Sequence, residues 1–252
     1  MLGTTAKRAD TSRQIEYENE FLSGPLSKAF IAPPYDIRAI ANIYEKSNML
    51  RQCVAAYTTN IAMYGWEIVQ ASPDTEMDAN EVLELQSFID RANADESLTT
   101  IHARLVDNFE KYGFGFLEII RDRAGRISII RNIKSLTTRL LPKNAEKVPI
   151  TYDVARGKRT SKVTELRRFR PYAQIINGIT TYFKEFGDPR RLDFRTGVYE
   201  SLDSPVLDDD LSTELLHFRQ ESEDAYGVPR WISQLPSILG SREVEECNLR
   251  YF

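Results

Sequence analysis

Apolar residues recur every three or four positions along much of the first half of the chain and form short, turn-bounded runs elsewhere. The first pattern predicts helices over 37–61, 81–93 and 98–112. The second predicts a hairpin over 114–130 and strands near 66–69, 138–141, 150–154, 166–169, 179–183 and 215–219. Because helices come first and strands cluster later, we predict an α+β fold with helices packed on a mainly antiparallel sheet.

Glycine and proline mark the boundaries between these predicted elements. Residues 1–24 have few apolar positions and end at Ser23-Gly24-Pro25, so we expect a flexible N-terminal arm. Gly113 follows the third helix and is predicted to be its C-cap, because glycine tolerates positive φ. Gly187, Asp188 and Pro189 predict a rigid turn, since Asp188 can accept backbone hydrogen bonds and Pro189 presets φ.

The last predicted helix shows no stop signal. From Gly240 onward Val244, Cys247 and Tyr251 keep helical spacing, and no Gly or Asn C-cap precedes Phe252. We therefore interpret residues 227–252 as the start of a helix in the front part of a longer polypeptide. A short C-terminal helix docked on the core is the alternative.

The composition indicates a globular protein with a real core. The 252 residues are 42% hydrophobic and 10% aromatic. The sequence has no run of eighteen apolar residues, and its N-terminus is polar, so we predict neither a membrane span nor a secretory signal. Cys53 and Cys247 lie among apolar neighbours in helical patterns, which predicts buried free thiols in a cytosolic compartment.

The charges are strongly segregated along the chain. Residues 121–195 hold nineteen Lys/Arg against seven Asp/Glu, although the whole chain has a net charge of −4. Such asymmetry indicates contact with a polyanion or with an acidic surface of another subunit, whereas a solvated basic hairpin is the alternative. The candidate contact residues are Arg156, Lys158, Arg159, Lys162, Arg167, Arg168 and Arg170.

No pattern in the sequence predicts catalysis, a cofactor or a metal site. His102 and His217 lie in a predicted helix and strand without an evident acid or nucleophile partner. Gly113-Phe114-Gly115 lacks the third glycine and the lysine of a phosphate loop. Three consecutive carboxylates at 208–210 cannot all face one ion on an extended strand, so a solvated loop is the better interpretation. We therefore expect a non-enzymatic protein.

Several ordered motifs together resemble the PBSX-type portal proteins of tailed bacteriophages. The resemblance runs from about residue 25 to the end of the chain. The matching segments are Pro33-Pro34-Tyr35-Asp36, the helix over 47–65 with Trp66-Glu67, Asn108 to Gly113 with Phe116-Leu117-Glu118, Lys184 to Arg190, Glu214 to Phe218, and Tyr226 to Trp231. The resemblance implies structural roles for ten motif positions: Gly113, Gly187, Asp188, Pro189, Arg190, His217, Tyr226, Gly227, Pro229 and Trp231.

The resemblance implies a structural subunit of a ring of about 12 copies at one capsid vertex. It implies that residues 25–226 form a wing-like α+β domain and that 227–252 lead toward the stem. The implied location is the virion, with assembly in the host cytoplasm and no membrane partner. The implied partners are further copies of the chain, the terminase large subunit, the major capsid or scaffold protein, a head-completion (adaptor) protein, and double-stranded DNA in transit.

Two roles remain open for the basic segment 156–170. Opposite potentials fix register in a ring, so we expect this segment to meet acidic residues 208–210 or 221–224 of a neighbour. Contact with DNA phosphates ranks second, and the alternative function is a sequence-independent nucleic-acid-binding module.

Trp66 follows a long helix and is predicted to lie in the monomer core, although burial between copies is open for Trp66 and Trp231.

Overall fold

The computed structural model describes residues 30–69, 78–156 and 159–251. Within these ranges the α-helices are α1 Ile37–Lys46, α2 Asn48–Ala62, α3 Ala79–Asp90, α4 Leu98–Tyr112 and α5 Leu235–Tyr251. The strands are β1 Phe114–Arg121, β2 Ile127–Ile133, β3 Thr138–Leu140, β4 Val148–Arg156, β5 Arg159–Arg167, β6 Tyr172–Ile176, β7 Ile179–Glu185 and β8 Glu214–Arg219. Short 3-10 turns cover Ser135–Thr137, Asp208–Asp210 and Arg230–Gln234.

The chain divides into two compact units. The helical unit comprises Pro33–Leu136 and Leu215–Phe252, and the strand unit comprises Met1–Ala32 and Thr137–Glu214. The predicted division into an arm, a wing-like domain over 25–226 and a terminal segment stays a prediction. Residues 1–24 and Phe252 lie outside the described residues.

In the helical unit, one serine separates two helices that the sequence pattern predicted as one. Ser47 has an extended backbone, with φ −98° and ψ 108°, and it ends α1. Its side-chain oxygen accepts a hydrogen bond from the backbone N–H of Leu50, so it also serves as the N-cap of α2. A serine hydroxyl competes with the helical backbone for hydrogen bonds, so the helix breaks at Ser47. The apolar spacing continues across the break, and the sequence pattern therefore predicted one helix.

Helix α4 organises the core of the helical unit. The side chain of Ser97 caps its first turn, and Gly113 ends it with a left-handed φ of 78°, as predicted. Its apolar face buries Ile101 and Leu105 together with Leu117 of β1. Strand β1 lies between β2 and β8, and the β1–β2 pair is antiparallel.

The strand unit is built on the antiparallel pairs β3–β6 and β6–β7. Ala173, Tyr182 and Leu192 form its buried cluster. Strands β4 and β5 pair only with each other, as a separate two-stranded sheet. These helices and mostly antiparallel strands confirm the predicted α+β class.

Most predicted strands are present, but the set needs three corrections, one of which is the absence of the strand predicted over 66–69. Strand β6 was missed, and the strand predicted over 166–169 was wrong because β5 begins at Arg159 and ends at Arg167. Phe169 is fully buried in the loop that follows. A buried aromatic residue adjacent to a strand produces the same local apolar pattern as a strand residue.

The predictions for Trp66 and for the two cysteines were also wrong. Gly65 adopts a φ of 80°, and residues 65–69 form no strand. The Trp66 side chain is 47% exposed, and its ring centroid lies 5.1 Å from that of His102. Cys53 and Cys247 are free but exposed. Cys53 lies off the face of α2 that buries Leu50 and Val54.

Helix α5 begins at Leu235, directly after the 3-10 turn that contains Trp231. Its residue Ile238 packs into the buried cluster with Leu50 and Val54 of α2. In the described parts of the chain, none of the helices combines the length and apolar character needed to cross a lipid bilayer.

Candidate functional site

The basic segment lies on the hairpin formed by β4 and β5. Their register runs from Val148 opposite Arg167 to Arg156 opposite Arg159, where the strands meet at the tip. Lys158 lies outside the described residues. Side chains alternate between the two faces of such a ribbon. One face carries Tyr152 opposite Val163, and the other carries Asp153 opposite Lys162.

Both faces of the hairpin are largely open to solvent. Tyr152 is 45% exposed and Val163 is 39% exposed, although they form a direct cross-strand pair. Ile150, on the same face, is half-buried. Glu165 stands opposite Ile150 on this face and accepts a hydrogen bond from the Tyr152 hydroxyl at 3.4 Å, so the face is only partly apolar. An isolated two-stranded hairpin is only marginally stable in water, which makes this face a candidate contact surface.

The base of the hairpin is fixed inside the chain by Glu185 of β7. One Glu185 carboxylate oxygen lies 2.5 Å from the Arg167 guanidinium, and the other accepts a hydrogen bond from the Arg170 backbone at 2.7 Å. The Arg167 guanidinium also lies 5.0 Å from the Phe169 ring centroid. Arg167 and the backbone of Arg170 therefore anchor the hairpin, whereas Lys162 and Arg168 remain exposed.

The turn predicted at Gly187–Pro189 is organised around Asp188, whose side chain is fully buried. Asp188 accepts hydrogen bonds from the Arg190 backbone at 3.1 Å, from the Arg190 Nε at 3.0 Å and from the Arg190 Nη2 at 2.8 Å. The Tyr199 hydroxyl donates to the same carboxylate at 3.1 Å. Gly187 has a φ of 82°, which lets the chain turn before Asp188.

Arg190 is held in its charged form at this turn. Burial opposes its charge, but hydrogen bonding and attraction to Asp188 leave the pKa of Arg190 above its usual value. The guanidinium also lies 4.0 Å from the Tyr199 ring centroid. Burial, followed by the charge of Asp188, raises the pKa of the Tyr199 hydroxyl. The result is a buried, hydrogen-bonded ion pair with a structural role.

In the helical unit, two glycines let separate backbone segments touch. A Cβ atom added to Gly113 would lie 2.6 Å from the carbonyl carbon of Val228, and one added to Gly227 would lie 2.1 Å from the Gly113 carbonyl oxygen. That Gly113 oxygen accepts a hydrogen bond from the Gln220 N–H at 2.8 Å. We call the contact between Gly113 and Gly227 the glycine corner.

Aromatic side chains surround the glycine corner. The rings of Phe114 and Tyr226 are fully buried and meet edge to face, with centroids 5.0 Å apart. His217 stacks on Phe116 at 4.8 Å with an interplanar angle of 20°. The Tyr35 hydroxyl donates to the Tyr112 carbonyl oxygen and lies 2.8 Å from the Gly227 carbonyl oxygen. His217 is thus part of an aromatic core in this arrangement.

The segment after the glycine corner is tied to α4. Pro229 is fully buried, and the Trp231 indole N–H donates to the Glu110 carbonyl oxygen at 3.1 Å. The Arg230 guanidinium lies 3.3 Å from the buried Glu110 carboxylate and donates to the Tyr57 hydroxyl at 3.1 Å. Burial raises the pKa of Glu110, and the charge of Arg230 partly opposes that rise.

The acidic segments proposed as partners of the basic residues differ in how they are engaged. Arg191 pairs with Asp208 at 2.7 Å, and Arg195 pairs with Asp210 at 3.0 Å, so most of the 208–210 cluster is neutralised inside the strand unit. Glu221, Glu223 and Asp224 are exposed. Among the described residues, no group of three or more His, Cys, Asp or Glu side chains could hold a metal ion.

The structure collects the sequence motifs into these two arrangements. Gly113, His217, Tyr226, Gly227, Pro229 and Trp231 lie around the glycine corner or the turn after it, and Gly187, Asp188, Pro189 and Arg190 form the Asp188 turn. Sequence reasoning missed Glu185, Tyr199 and Glu110 as partners. Glu185 and Glu110 had a local signal, because they lie within the Lys184–Arg190 and Asn108–Gly113 motifs, whereas Tyr199 had none.

The described motif residues therefore form backbone corners and a buried ion pair, and the basic segment lies on an exposed hairpin. The chain is 32% identical over 253 residues to the Phage-like element PBSX protein XkdE of Bacillus subtilis (strain 168), an alignment that covers 97% of this chain and 50% of XkdE. It is 33% identical to the Bacillus subtilis (strain 168) protein YqbA, across 96% of this chain and 48% of YqbA. The chain thus spans about half the length of these relatives.

Solved structures share the fold at low sequence identity. A chain from the neck of an empty GTA particle, computed with C6 symmetry, matches 89% of this chain with a TM-score of 0.55 and 12% identity, and this chain covers 49% of it. A chain from the neck of a native GTA particle, computed with C12 symmetry, matches 92% with a TM-score of 0.53 and 12% identity, and 50% of that chain is covered. No protein-family model matches the chain.

Replacement of Gly113 by Ala tests the glycine corner. We expect the free energy of unfolding to fall by about 3 kcal/mol, because the added methyl meets backbone atoms in addition to the left-handed φ. Gly125→Ala is the matched control, since Gly125 has a φ of 80° but nothing within 4 Å of its added Cβ. There the loss should be about 1 kcal/mol. Equal losses in urea denaturation would show that the close approach contributes nothing.

Replacement of Asp188 by Asn tests the buried ion pair. The change keeps the side-chain volume but leaves the Arg190 charge without its buried partner, so unfolding free energy should drop by about 3 kcal/mol. Asp153→Asn, on the exposed hairpin, should change it by less than about 0.5 kcal/mol. Urea denaturation of both variants measures the difference, and a neutral Asp188→Asn would contradict the structural role.

Proposed function

We propose that this chain is a non-catalytic structural subunit of a phage portal ring. The observation that carries the proposal is the similarity to the phage-like element protein XkdE along 97% of this chain. The shared fold with chains from particle necks computed with C6 and C12 symmetry supports a ring. The subunit would belong to a prophage or virion, at the capsid vertex, after assembly in the host cytoplasm.

In this role the ring is the conduit through which DNA is packaged and ejected. Its partners would be identical copies, the terminase large subunit, the capsid or scaffold protein and the head-completion protein. The described residues are compatible with a structural role, because their motif positions form a close backbone corner and a buried ion pair. Such corners hold exposed surfaces in fixed positions, as a closed assembly requires.

We assign the hairpin as one contact surface of the ring. A ring needs a heterologous interface, in which one face meets a different face of the next copy. Lys162 and Arg168 are exposed and basic, and Glu221, Glu223 and Asp224 are exposed and acidic. The segment 221–224 is a better partner than 208–210, since Asp208 and Asp210 already pair with arginines of the same unit.

The mass of the full-length protein in solution tests the ring. Light scattering should give a particle of about 12 subunits at low salt. The double variant Lys162→Glu/Arg168→Glu should weaken assembly about tenfold or more, because it places acidic side chains opposite the acidic segment.

Arg123→Glu is the matched control, as Arg123 is exposed on the β1–β2 turn outside the basic segment. A full chain that stays monomeric at every concentration would refute the ring. A ring that forms equally well from the double variant would refute the role of the hairpin charges but would leave the proposed ring standing.

The second candidate is a sequence-independent nucleic-acid-binding module, favoured by the exposed Lys162 and Arg168. Phosphate contacts make affinity fall steeply with salt. The double variant should then bind duplex DNA more weakly than the wild type at low salt, with a shallower dependence on salt. Equal affinities of the two proteins across salt concentrations would exclude this function.

A further inference from the structure

Strand β4 has one edge that no strand covers within the described residues. Strands β4 and β5 form a sheet of their own, so β4 pairs with β5 on one side and with no described strand on the other. An open edge presents backbone N–H and C=O groups that can pair with a further extended segment. Because β4 is nine residues long, this edge is a binding surface for such a segment.

Ile31 shows from which direction the chain reaches this part of the strand unit. It forms an antiparallel bridge with Leu140 of β3, and its N–H donates to the Leu140 carbonyl oxygen at 2.9 Å. Strand β3 is the last strand of its sheet, so Ile31 lies on the open side of β3. In an antiparallel pair, residues before Ile31 run in the same direction as residues after Leu140. The bridge therefore directs the chain before Ile31 toward β4.

The open edge of β3 leads into the open edge of β4. Between the two strands, the Leu141 N–H donates to the Pro171 carbonyl oxygen at 3.1 Å, and the Asn144 N–H donates to the Phe169 carbonyl oxygen at 2.9 Å. The segment that joins β3 to β4 thus stays beside the segment that joins β5 to β6. The β3–β6 ladder and the hairpin are successive parts of one paired ribbon.

The lengths of the two segments set a register. Nine residues lie between Phe21 and Ile31, and nine lie between Leu140 and Ile150. A continuation of the Ile31–Leu140 pairing therefore places residues 15–21 opposite Ile150–Arg156 of β4. Pro149, which cannot donate a ladder hydrogen bond, lies just outside this range.

The sequence of residues 15–21 has the pattern of a half-buried strand. It reads Ile-Glu-Tyr-Glu-Asn-Glu-Phe, so Ile15, Tyr17 and Phe21 share one face and three glutamates occupy the other. Strict alternation of this kind is the signal of a strand with one covered face. The pattern therefore identifies this stretch as an extended segment.

Pattern and register place the apolar side chains on the same face. The register puts Phe21 opposite Ile150 and Tyr17 opposite Val154, and both partners in β4 are half-buried. Tyr152, between them on the same face, is 45% exposed. A shift of one residue would put glutamates on this face instead. Two independent features, the chain lengths and the alternation, thus agree on one alignment.

The opposite face carries the charges. In this register Glu18 lies opposite Asp153, which is an unfavourable pair of like charges. Lys162 is the cross-strand partner of Asp153, lies on the same face and offsets that repulsion. Strands β4 and β5 together hold four basic and two acidic residues, so the three glutamates meet a sheet of net positive charge.

We propose that residues 15–21 of this chain pair with the open edge of β4 as a third, antiparallel strand. A third strand with an apolar face gives the hairpin the stability that two strands lack. It also covers an edge that would otherwise pair with other chains. The pairing uses an edge rather than a face, so it is compatible with the ring contact proposed for the hairpin and does not depend on it.

Disulfide trapping in the full-length protein tests the pairing. In a Cys53→Ser/Cys247→Ser background, Tyr152→Cys is combined with Asn19→Cys or, as the matched control, with Glu18→Cys. The register puts Asn19 directly opposite Tyr152, with Cβ atoms about 5 Å apart, and puts Glu18 on the other face. Mild oxidation should give at least about fivefold more internally linked monomer from the first pair on a non-reducing gel.

Hydrogen exchange of the β4 amides gives a second measurement. Tyr17→Ser/Phe21→Ser removes the apolar contacts and should lower amide protection in β4 by about tenfold or more. The matched variant Glu16→Ser/Glu20→Ser changes the charged face and should leave that protection within about twofold.

Three results would overturn the inference. Equal yields from the two cysteine pairs, or none from either, would show that the segment does not pair in this register. A ladder of linked subunits would mean that the segment of a second copy occupies the edge, which contradicts pairing within one chain. Unchanged protection in Tyr17→Ser/Phe21→Ser would show that the apolar face makes no contact. Each result is read on the folded subunit, whether or not light scattering finds a ring.

Discussion

The helical unit depends on the close approach of two backbone segments at Gly113 and Gly227. Neither position has room for a Cβ atom, so the C-terminal end of α4 can touch the turn after β8 only because both residues are glycine. This contact brings Phe114 and Tyr226 together as a buried pair and leads directly to Trp231, which hydrogen-bonds to α4. This steric constraint, together with the contacts of Trp231 and Arg230 to Glu110, sets the path of the chain into α5.

In the strand unit, a buried ion pair constrains the path of the chain. Asp188 is buried, and its carboxylate accepts hydrogen bonds from Arg190 and Tyr199, so the turn after β7 leaves this buried charge paired. Glu185, at the end of the same strand, holds the base of the hairpin through Arg167 and the Arg170 backbone. These contacts fix the base of the exposed hairpin relative to its own unit.

Local chemistry predicted much of this arrangement. The C-cap at Gly113 and the turn at Gly187–Pro189 were found because positive φ and short-range hydrogen bonding leave clear residue signatures. Charge segregation located the hairpin, but it could not separate Arg167, which is paired inside the chain, from Arg168, which is exposed. That distinction depends on Glu185, whose position beside Arg167 is a tertiary fact.

The sequence by itself determined the α+β class, most helices and strands, and the turns between them, because periodicity and glycine or proline positions act over a few residues. The tertiary structure decided which apolar faces are covered. Trp66 and Cys53 are exposed although their local patterns favoured burial, and Ser47 breaks a helix whose apolar stripe continues. Periodicity specifies that an element has an apolar face, but only packing against segments distant in the chain decides whether that face is buried.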